Sequence, residues 1–393
     1  MRSREADSPR PAPLVGPGPQ LTRDQQERAS RQMLLPDFGD EAQRRLQAAR
    51  VLIVGAGGLG SASVPYLAGA GVGTIGIIDN DVVELSNLHR QIGHQTADLG
   101  RRKTTSLRET ALALNPGTNV IEHDLRLTSS NALEIFSKYD LVIDGSDNFP
   151  TRYLVNDAAS LAGIPLVWGS ILGHHGQVSV AWHAYGPGYR DLFPQPPDPG
   201  DVVTCASGGV LPGLCGTIGS LLVTEAMKLI TGSGEPLIGR VLVYDAMRAS
   251  TREIRYGRDE LAPKITELID YELFCAGEQA PRSITATELI ARLESGRPTL
   301  LDVRNADERE AARIVPSIAV PLPELEAGDL VESLEPGARV TVYCAKGPRS
   351  IRATNLLKEH GIDAEYLAGG IEQFAREAPQ LIESGNESRL ESA

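Results

Sequence analysis

Four glycines in the first part of the chain have the spacing that binds a phosphate. They are Gly55, Gly57, Gly58 and Gly60. They end the apolar run VLIVG at 51–55 and begin a helical pattern, so backbone N–H groups at the helix start can meet an anion. Asp79 ends the next apolar run, where such folds place the carboxylate that holds a ribose hydroxyl. The pattern predicts a nucleotide site.

The residues that follow favour ATP as the nucleotide. The polar side chains Asn87, Arg90, Gln91 and Lys103 come directly after this region. An NAD-dependent dehydrogenase needs little positive charge near the phosphates, whereas Arg90 and Lys103 can engage a triphosphate. On the plainer interpretation, both cations are solvated surface residues.

A third apolar run, at 140–144, leads into Asp147 and Asn148 of the sequence GSDN. A carboxylate at the carboxyl end of a strand faces the nucleotide crevice of such a sheet. Asp147 is therefore a candidate ligand for a Mg²⁺ ion that bridges phosphate oxygens. The structural alternative is that SDN only caps the next helix.

Cys344 is the best candidate nucleophile. It follows the apolar run at 339–343, and a loop connects it to Arg349 and to a helix that begins near Ser350. Loop N–H groups, the helix N-terminus and Arg349 would together stabilise an anionic persulfide on this sulfur. The alternative is an inert cysteine in the core.

The other three cysteines are Cys205, Cys215 and Cys275, and no C-x-x-C pair occurs. This pattern fits neither a disulfide framework nor a zinc site, and it fits a reducing cytoplasm best. Cys205 lies in a glycine-rich stretch that predicts an accessible loop thiol, with an inert thiol as the alternative. Cys215 is expected in the core, and Cys275 in a linker without an evident role.

The elements that must position these residues have an α/β pattern. In the first part of the chain, short apolar runs alternate with helical patterns such as 103–114. The runs are 51–55, 74–79, 140–144, 165–169 and 240–245. This alternation is typical of a Rossmann-like doubly wound sheet. The runs at 299–303, 339–343 and 364–367 predict a second, smaller α/β domain.

The length of 393 residues exceeds what one core usually serves. The composition shifts predict a disordered tail at 1–20, a first domain at 21–272, a linker at 273–282, a second domain at 283–380 and a tail at 381–393. The N-terminus lacks the apolar segment of a signal peptide.

Charge and hydropathy argue against nonspecific binding to polyanions and against a transmembrane segment, although a local basic pocket stays possible. The net charge of −13 opposes nonspecific binding to nucleic acid or to an anionic membrane. The most membrane-like stretch, 208–230, contains Pro212, Glu225 and Lys228, so a buried helix is favoured over a transmembrane span.

Residues 21–272 resemble the ubiquitin-activating superfamily, in particular its bacterial ThiF- and MoeB-type adenylyltransferases for sulfur carriers. The motifs that carry the resemblance stand in the family's order: RQMLLPDFG, VLIVGAGGLGS, GVGTIGIIDNDVVELSNLHRQ, GRRK, LVIDGSDNFPTR and GSLLVTEAMKLITG.

The resemblance implies a role for each matching residue. Asp79 would bind ribose, Asn87, Arg90 and Lys103 would bind phosphates, and Asp147 would hold Mg²⁺. Arg31 would reach the ATP site of a neighbouring subunit, which implies a homodimer, although Arg28 is an equal candidate.

Two further implications concern cysteines of this first domain. Cys205 matches a loop cysteine that forms an acyl disulfide or a thioester with the activated carrier. Many relatives hold zinc with two C-x-x-C pairs, but this chain has Gly188–Asp191 at the first position and only Cys275 at the second. No zinc site is therefore expected.

Residues 283–380 resemble the single-domain rhodaneses, through the Cys344 loop and through LLDVR, which supplies Asp302 and Arg304. The chain departs from that family at 313–317, where RIVPS replaces the usual His-Ile-x-Gly-Ala. This departure puts the use of thiosulfate in doubt.

Together these features predict an enzyme that adenylates the C-terminal glycine of a ubiquitin-like sulfur carrier and then loads sulfur there from a persulfide. Rhodanese sulfur comes from a donor such as thiosulfate or a cysteine desulfurase. The alternatives are an NAD-dependent oxidoreductase with an accessory domain and a noncatalytic scaffold for a ubiquitin-like partner. The carrier, the pathway and the donor are left open by the sequence.

Overall fold

The computed structural model describes residues 11–197, 208–260, 262, 264–275, 281–296, 298–326 and 339–383. Cys205 lies outside these residues. The chain divides into two compact units, and Tyr271 is the last residue of the first unit while Glu272 belongs to the second.

The first unit is built on one eight-stranded sheet. Its strands are β1 Arg50–Val54, β2 Thr74–Ile78, β3 Asn119–His123, β4 Leu141–Asp144, β5 Leu166–Leu172, β6 His175–Ala181, β7 Arg240–Asp245 and β8 Ser250–Arg255. Its helices are α1 Arg23–Met33, α2 Gly39–Ala48, α3 Gly58–Ala70, α4 Lys103–Leu114, α5 Ala132–Phe136, α6 Phe149–Ala162, α7 Tyr189–Leu192 and α8 Pro212–Thr231.

The strand order β3-β2-β1-β4-β5-β6-β7-β8 explains where a ligand would bind. Strands β1 to β5 are parallel, and the last three are antiparallel. The chain leaves β1 toward β2 on one side and returns to β4 on the other, so the carboxyl ends of β1 and β4 flank a topological switch point. In open α/β sheets this is where the ligand crevice lies.

The core of this unit surrounds the apolar strands β1, β2 and β4. Val51, Ile53, Ile75 and Ile77 are fully buried because parallel strands are covered by helices on both faces. Helix α8 packs against α3 and β5, and Cys215 in it is buried as predicted.

Helix α8 alone, among the described residues, is long and apolar enough to cross a membrane by length and composition. Its Ile218, Leu222 and Ile230 are fully buried in the sheet core. This burial agrees with the predicted core helix.

The segment at 11–20, predicted as part of a disordered tail, contacts this unit at several points. The Leu14 N–H donates to the Leu229 carbonyl at 3.0 Å. Arg44 Nε donates to the Gly18 carbonyl at 2.8 Å. Hydrogen bonds to α8 and α2 therefore hold this segment against the first unit.

The second unit contains a five-stranded parallel sheet in the order β12-β10-β13-β14-β9 and a separate antiparallel pair β11-β15. Its strands are β9 Arg282–Ile284, β10 Thr299–Asp302, β11 Arg313–Ile314, β12 Ile318–Ala319, β13 Val340–Tyr343, β14 Ala364–Leu367 and β15 Ile382–Glu383. Its helices are α10 Ala286–Ser295, α11 Ala306–Ala311, α12 Leu322–Glu326, α13 Pro348–Glu359 and α14 Gly370–Glu377, and α9 Tyr271–Cys275 spans the division between the units.

Two apolar clusters cover the faces of this second sheet. Leu289 and Phe374 pack on one face, and Val342 and Leu357 pack in the other cluster. Strand β15 lies beyond residue 380, the predicted end of this domain. It pairs with β11 through Ile314 and Ile382, so the second unit continues past that residue.

Candidate active sites

The glycine loop between β1 and α3 has the close packing that only glycine allows. Gly55 has φ +91°, a left-handed conformation that favours glycine. A Cβ on Gly60 would lie 1.9 Å from the Gly55 carbonyl oxygen, and a Cβ on Gly55 would lie 3.2 Å from Gly145. The loop therefore starts α3 at the switch point between β1 and β4, with the helix N-terminus as an anion site.

Asp79, at the end of β2, holds this loop. Its Oδ2 accepts the Ala56 N–H at 2.7 Å, and its Oδ1 accepts the Asp81 N–H at 2.7 Å. Burial raises the pKa of Asp79, while the nearby Lys103 ammonium opposes that effect. The predicted ribose ligand is thus positioned at the loop by two backbone donors.

Lys103 and Gln91 also lie at this edge of the sheet. Lys103 begins α4, is buried, and its Nζ lies 3.1 Å from Asp81 Oδ2. The Gln91 Nε2 lies 3.7 Å from where a Cβ on Gly57 would be, so the amide covers the glycine loop. Gln91 Oε1 is buried without a hydrogen-bond partner among the described residues, and an added donor such as a ribose hydroxyl would satisfy it.

Asp147 and Asn148 have different roles in the turn after β4. Asn148 Oδ1 accepts the Thr151 N–H at 2.9 Å, so Asn148 is the cap of α6. Asp147 is exposed and forms no hydrogen bond or ion pair within the described part of the chain. Asp147 is therefore not the cap of α6.

Asn87 and Arg90 lie in the turn after β2 and bond within that turn. Asn87 is buried, and its Oδ1 accepts the Glu84 N–H at 3.3 Å. Arg90 donates to the Ser86 carbonyl at 3.0 Å. In the described ranges, neither side chain forms a hydrogen bond or ion pair with a residue outside this turn.

Arg31 and Arg28, the two candidates for an arginine that acts on a neighbouring subunit, differ in their contacts. Arg28 donates to the Leu114 carbonyl at 2.8 Å, at the end of α4. Arg31 is exposed in the last turn of α1 and has no hydrogen bond or ion pair with residues that the structure describes. Arg31 is the one with a free guanidinium.

In the second unit, Cys344 lies directly after β13 and is buried. The Gly347 N–H donates to its Sγ at 3.1 Å, and the Ser350 hydroxyl lies 3.6 Å from the same sulfur. Gly347 has φ +131° and precedes α13, so the loop turns its backbone toward the sulfur. One loop N–H therefore reaches the sulfur where the sequence predicts a loop that stabilises an anionic persulfide.

Arg349 does not bond directly to the sulfur. Its two terminal nitrogens donate to the two oxygens of Glu308, both at 2.7 Å. This bidentate pair joins the Cys344 loop to α11 and raises the pKa of Arg349. The Arg349 guanidinium is therefore held by Glu308 and not by the sulfur.

Asp302 and Arg304 form the buried base of this loop region. Arg304 donates to both Asp302 oxygens, at 2.9 and 2.7 Å, and Arg309 adds a contact of 3.2 Å. Burial would raise the pKa of Asp302, but the hydrogen bonds and charge of Arg304 outweigh it, and the pKa is lowered.

The stretch at 313–317, where the chain departs from rhodaneses, packs against the same strand. The Ile314 N–H donates to the Tyr343 hydroxyl at 3.3 Å, and Ser317 Oγ lies 3.0 Å from that hydroxyl. The departure therefore contacts the residue that immediately precedes Cys344.

Comparison with known proteins identifies the first of these units. Residues 29–263, more than half of the chain, match the ThiF family. The chain belongs to the ThiF family. Residues 285–377 match the rhodanese-like domain, so this family member carries a second, sulfur-transfer type of domain.

One of two close relatives aligns with both parts of the chain, and the other aligns with 65% of it. The chain is 48% identical to a probable adenylyltransferase/sulfurtransferase MoeZ of Mycobacterium tuberculosis, over 94% of this chain and 98% of that protein. It is 49% identical to a sulfur carrier protein adenylyltransferase of Thermus thermophilus, over 65% of this chain and 98% of that protein.

A solved structure shares the fold of the ThiF-family unit. Crystalline MccB of E. coli with ATP has a TM-score of 0.52 and 21% identity, and the alignment covers 57% of this chain and 68% of MccB. These relationships confirm the predicted doubly wound ThiF-type fold, the rhodanese domain and the enzyme class of adenylyltransferase and sulfurtransferase.

The ThiF-family site fits the ATP that this family uses. The glycine loop, the α3 N-terminus and Lys103 supply donors for phosphates, and Gln91 Oε1 is a buried polar atom without a partner among the described residues. In the same residues, no group of three or more His, Cys, Asp or Glu could hold a metal alone.

Sequence reasoning missed two residues at these sites. Glu308 neutralises Arg349, and His94 contacts the glycine loop, its Nε2 lying 2.9 Å from the Ala56 carbonyl oxygen. For His94 the sequence offers one general signal of a functional role, which is that the charge of histidine changes most readily near neutral pH. Nothing in the local spacing connected His94 to a residue so far back in the sequence.

Proposed function

We propose that this ThiF-family chain uses ATP to adenylate the C-terminal glycine of a ubiquitin-like sulfur-carrier protein and then transfers sulfur to it from a persulfide on Cys344. The observation that carries the proposal is that one chain holds two anion-stabilising loops, at 55–60 and at 344–349. The names of the two relatives support both halves.

In the first reaction, the carrier carboxylate attacks the α-phosphorus of ATP, and pyrophosphate leaves to give an acyl-adenylate. The α3 N-terminus and Lys103 stabilise phosphate charge, and Asp79 holds the ribose. Mg²⁺ would neutralise charge on the leaving pyrophosphate. Asp147 is the residue with a carboxylate available to hold it.

In the second reaction, the terminal sulfur of the Cys344 persulfide attacks the acyl carbon and AMP leaves. The carrier is then joined to Cys344 through an acyl disulfide. A second thiol attacks the Cys344 sulfur, which releases the carrier thiocarboxylate and leaves a disulfide that an external thiol reduces. Cys205 is the proposed second thiol, and it lies outside the described residues.

The sulfur donor must place sulfane sulfur on Cys344, as a persulfidic protein or thiosulfate would. Glu308 and its bidentate partner Arg349 leave less positive charge for a small dianion than a free arginine would. This pairing supports a cysteine desulfurase over thiosulfate. A reducing cytoplasm suits both the thiol chemistry and such a donor.

A carrier-dependent exchange of radioactive pyrophosphate into ATP tests the first half. We expect exchange by the wild type and by Cys344→Ser, because adenylation does not need the sulfur. Asp147→Ala should lose exchange by about 100-fold, as when one electrostatic group of an active site is removed. Nicotinamide binding without any exchange would support an oxidoreductase and refute adenylation.

A further inference from the structure

One residue of the glycine loop is held from both sides by titratable side chains. Ala56 is fully buried; its N–H donates to Asp79 Oδ2 at 2.7 Å, and its carbonyl oxygen lies 2.9 Å from His94 Nε2. The sequence predicts Gln91 and Lys103 near this loop and indicates no role for His94. We propose that His94 is a positioning residue for the nucleotide site, because it fixes the direction of the Ala56–Gly57 peptide.

The geometry of a peptide explains how this hold could act on a phosphate. In a trans peptide the C=O and the next N–H point in opposite directions. With the Ala56 carbonyl directed at His94, the Gly57 N–H points away from His94. Gly57 is the N-cap of α3, and its N–H has no hydrogen-bond partner in the part of the chain that the structure describes. The Gly57 N–H is thus available to donate to an anion.

A chain of hydrogen bonds anchors the other side of the His94 ring. Nδ1 lies 2.8 Å from Ser106 Oγ on α4, and the same Oγ lies 2.8 Å from Asp98 Oδ2. His94, Ser106 and Asp98 are all buried. The chain therefore connects the glycine loop to α4 and to the turn at 96–98.

The number of protons available to the hydrogen bonds of His94, Ser106 and Asp98 makes this network sensitive to pH. The carbonyl of Ala56 only accepts, so it needs a proton on Nε2. Ser106 has one hydroxyl proton, which goes either to Nδ1 or to Asp98. With a neutral ring protonated on Nε2, either Nδ1 or Asp98 is left without the Ser106 proton; with a protonated ring, every contact in this hydrogen-bond chain has its proton.

The charges around His94 set the direction of its titration. Burial lowers the pKa of His94 below its ordinary value of 6.5; the Ala56 carbonyl, Asp98 and Asp79 oppose that effect, and Lys103 adds to it. Arg101 pairs with Asp98, and Asp81 pairs with Lys103. Protonation of His94 is therefore expected on the acid side of neutral, and it should strengthen the hold on the loop.

The inference rests on the proposed use of ATP, and nucleotide affinity tests it. His94→Phe should weaken ATP binding about tenfold, the loss expected for a buried carbonyl left without its donor. His94→Gln places an amide N–H near the former Nε2 and should restore affinity to within about threefold. His183→Phe is the matched control, since that partly buried ring contacts Gly188 rather than this loop.

The pH dependence distinguishes positioning from a structural role. As the pH falls from about 7 to about 5, the ratio of the ATP Kd of His94→Gln to the ATP Kd of the wild type should rise. Only the wild type gains a second ring proton over this range. A constant ratio would overturn the proposal. Wild-type affinity in His94→Phe, or no recovery in His94→Gln, would also overturn it.

The ¹⁵N shifts of the ring test the contact without any nucleotide. In the free wild-type chain, His94 Nε2 should be protonated both above and below the pKa of the ring. An unprotonated Nε2 at neutral pH would refute the hold on Ala56 even if ATP binds. A wild type that binds no ATP but has a protonated Nε2 would instead refute the proposed function and the role in nucleotide binding, while the contact itself stood.

Discussion

Three carboxylates of this chain differ in their hydrogen-bond partners, and these differences determine what each carboxylate can bind. Asp79 is fixed by two backbone N–H groups at the glycine loop. Asp302 is paired with Arg304 in a buried bidentate contact. Asp147 is exposed and has no partner among the described residues, so of the three it has its oxygens available for a metal.

The Asp302 pair should dominate the acid stability of the rhodanese unit. Asp302→Asn leaves Arg304 buried without its counter-ion, and we expect a loss of about 3 kcal/mol in the free energy of unfolding near pH 7. Because the pKa of Asp302 is lowered in the fold, this contribution is present above the unfolded pKa and is lost as pH falls through the folded pKa.

Urea unfolding of the variant and the wild type between about pH 7 and pH 3 measures this difference. Asp363→Asn is the control, since Asp363 forms an exposed pair with Arg339 in the same unit and such pairs contribute little. A difference that stays constant toward acid, or that is equal for the two variants, would contradict the assignment.

At this scale the sequence predicted the residues that belong to local motifs and missed those that meet across the fold. Asp79, Asp302 and Cys344 were named as candidates because each ends a strand or directly follows one at a fixed position in its motif. Glu308 and His94 were missed because their partners, Arg349 and Ala56, are distant in sequence and meet them only after packing.

At the scale of elements, α3 depends on how closely the chain can approach itself at its start. Gly60→Ala would place a Cβ 1.9 Å from the Gly55 carbonyl oxygen, so the loop must move. Such overpacking costs about 1–3 kcal/mol, and we expect the ATP Kd to rise at least about tenfold.

Gly69→Ala provides the comparison within the same helix. A Cβ there meets no atom within 4 Å, and alanine in a helix is favoured over glycine by roughly 0.5–1 kcal/mol. This variant should bind ATP like the wild type and unfold at slightly higher urea. Equal ATP affinity for the two variants, measured by calorimetry, would mean that the loop does not bind the phosphates.

The strands that the sequence predicted are those with continuous apolar runs. Strands β7 and β14 have their predicted bounds, and β1, β2, β4, β5, β10 and β13 differ at their ends by a few residues. Strand β8 was missed because all of its residues are exposed, which removes the apolar signal. Strand β11 is a two-residue bridge whose pairing with β15 depends on the tertiary fold.

At the scale of the whole molecule, we propose that two chains form a homodimer in which Arg31 of each reaches the other's ATP site. The free guanidinium of Arg31 supports it over Arg28, which bonds to Leu114. Arg31→Ala and Asp147→Ala should each lose exchange, but a mixture should recover about a quarter of wild-type activity through heterodimers with one intact site.

No recovery in the mixture would place Arg31 at the site of its own subunit. Arg28→Ala is the matched control and should retain exchange. Loss of exchange in Arg28→Ala with activity retained in Arg31→Ala would assign the role to Arg28 instead.

The central claim is that one chain performs both adenylation and sulfur transfer on a single carrier tail. Joining the two domains raises the effective concentration of the persulfide at the acyl-adenylate. The claim requires that the product depend on Cys344 while the adenylate does not.

The most direct measurement is the mass of the carrier after turnover with ATP, a persulfide donor and a thiol reductant. For the wild type we predict replacement of one carboxylate oxygen by sulfur. For Cys344→Ser we predict an unmodified or adenylated carrier and no sulfur. A thiocarboxylate formed equally by both proteins would contradict the account.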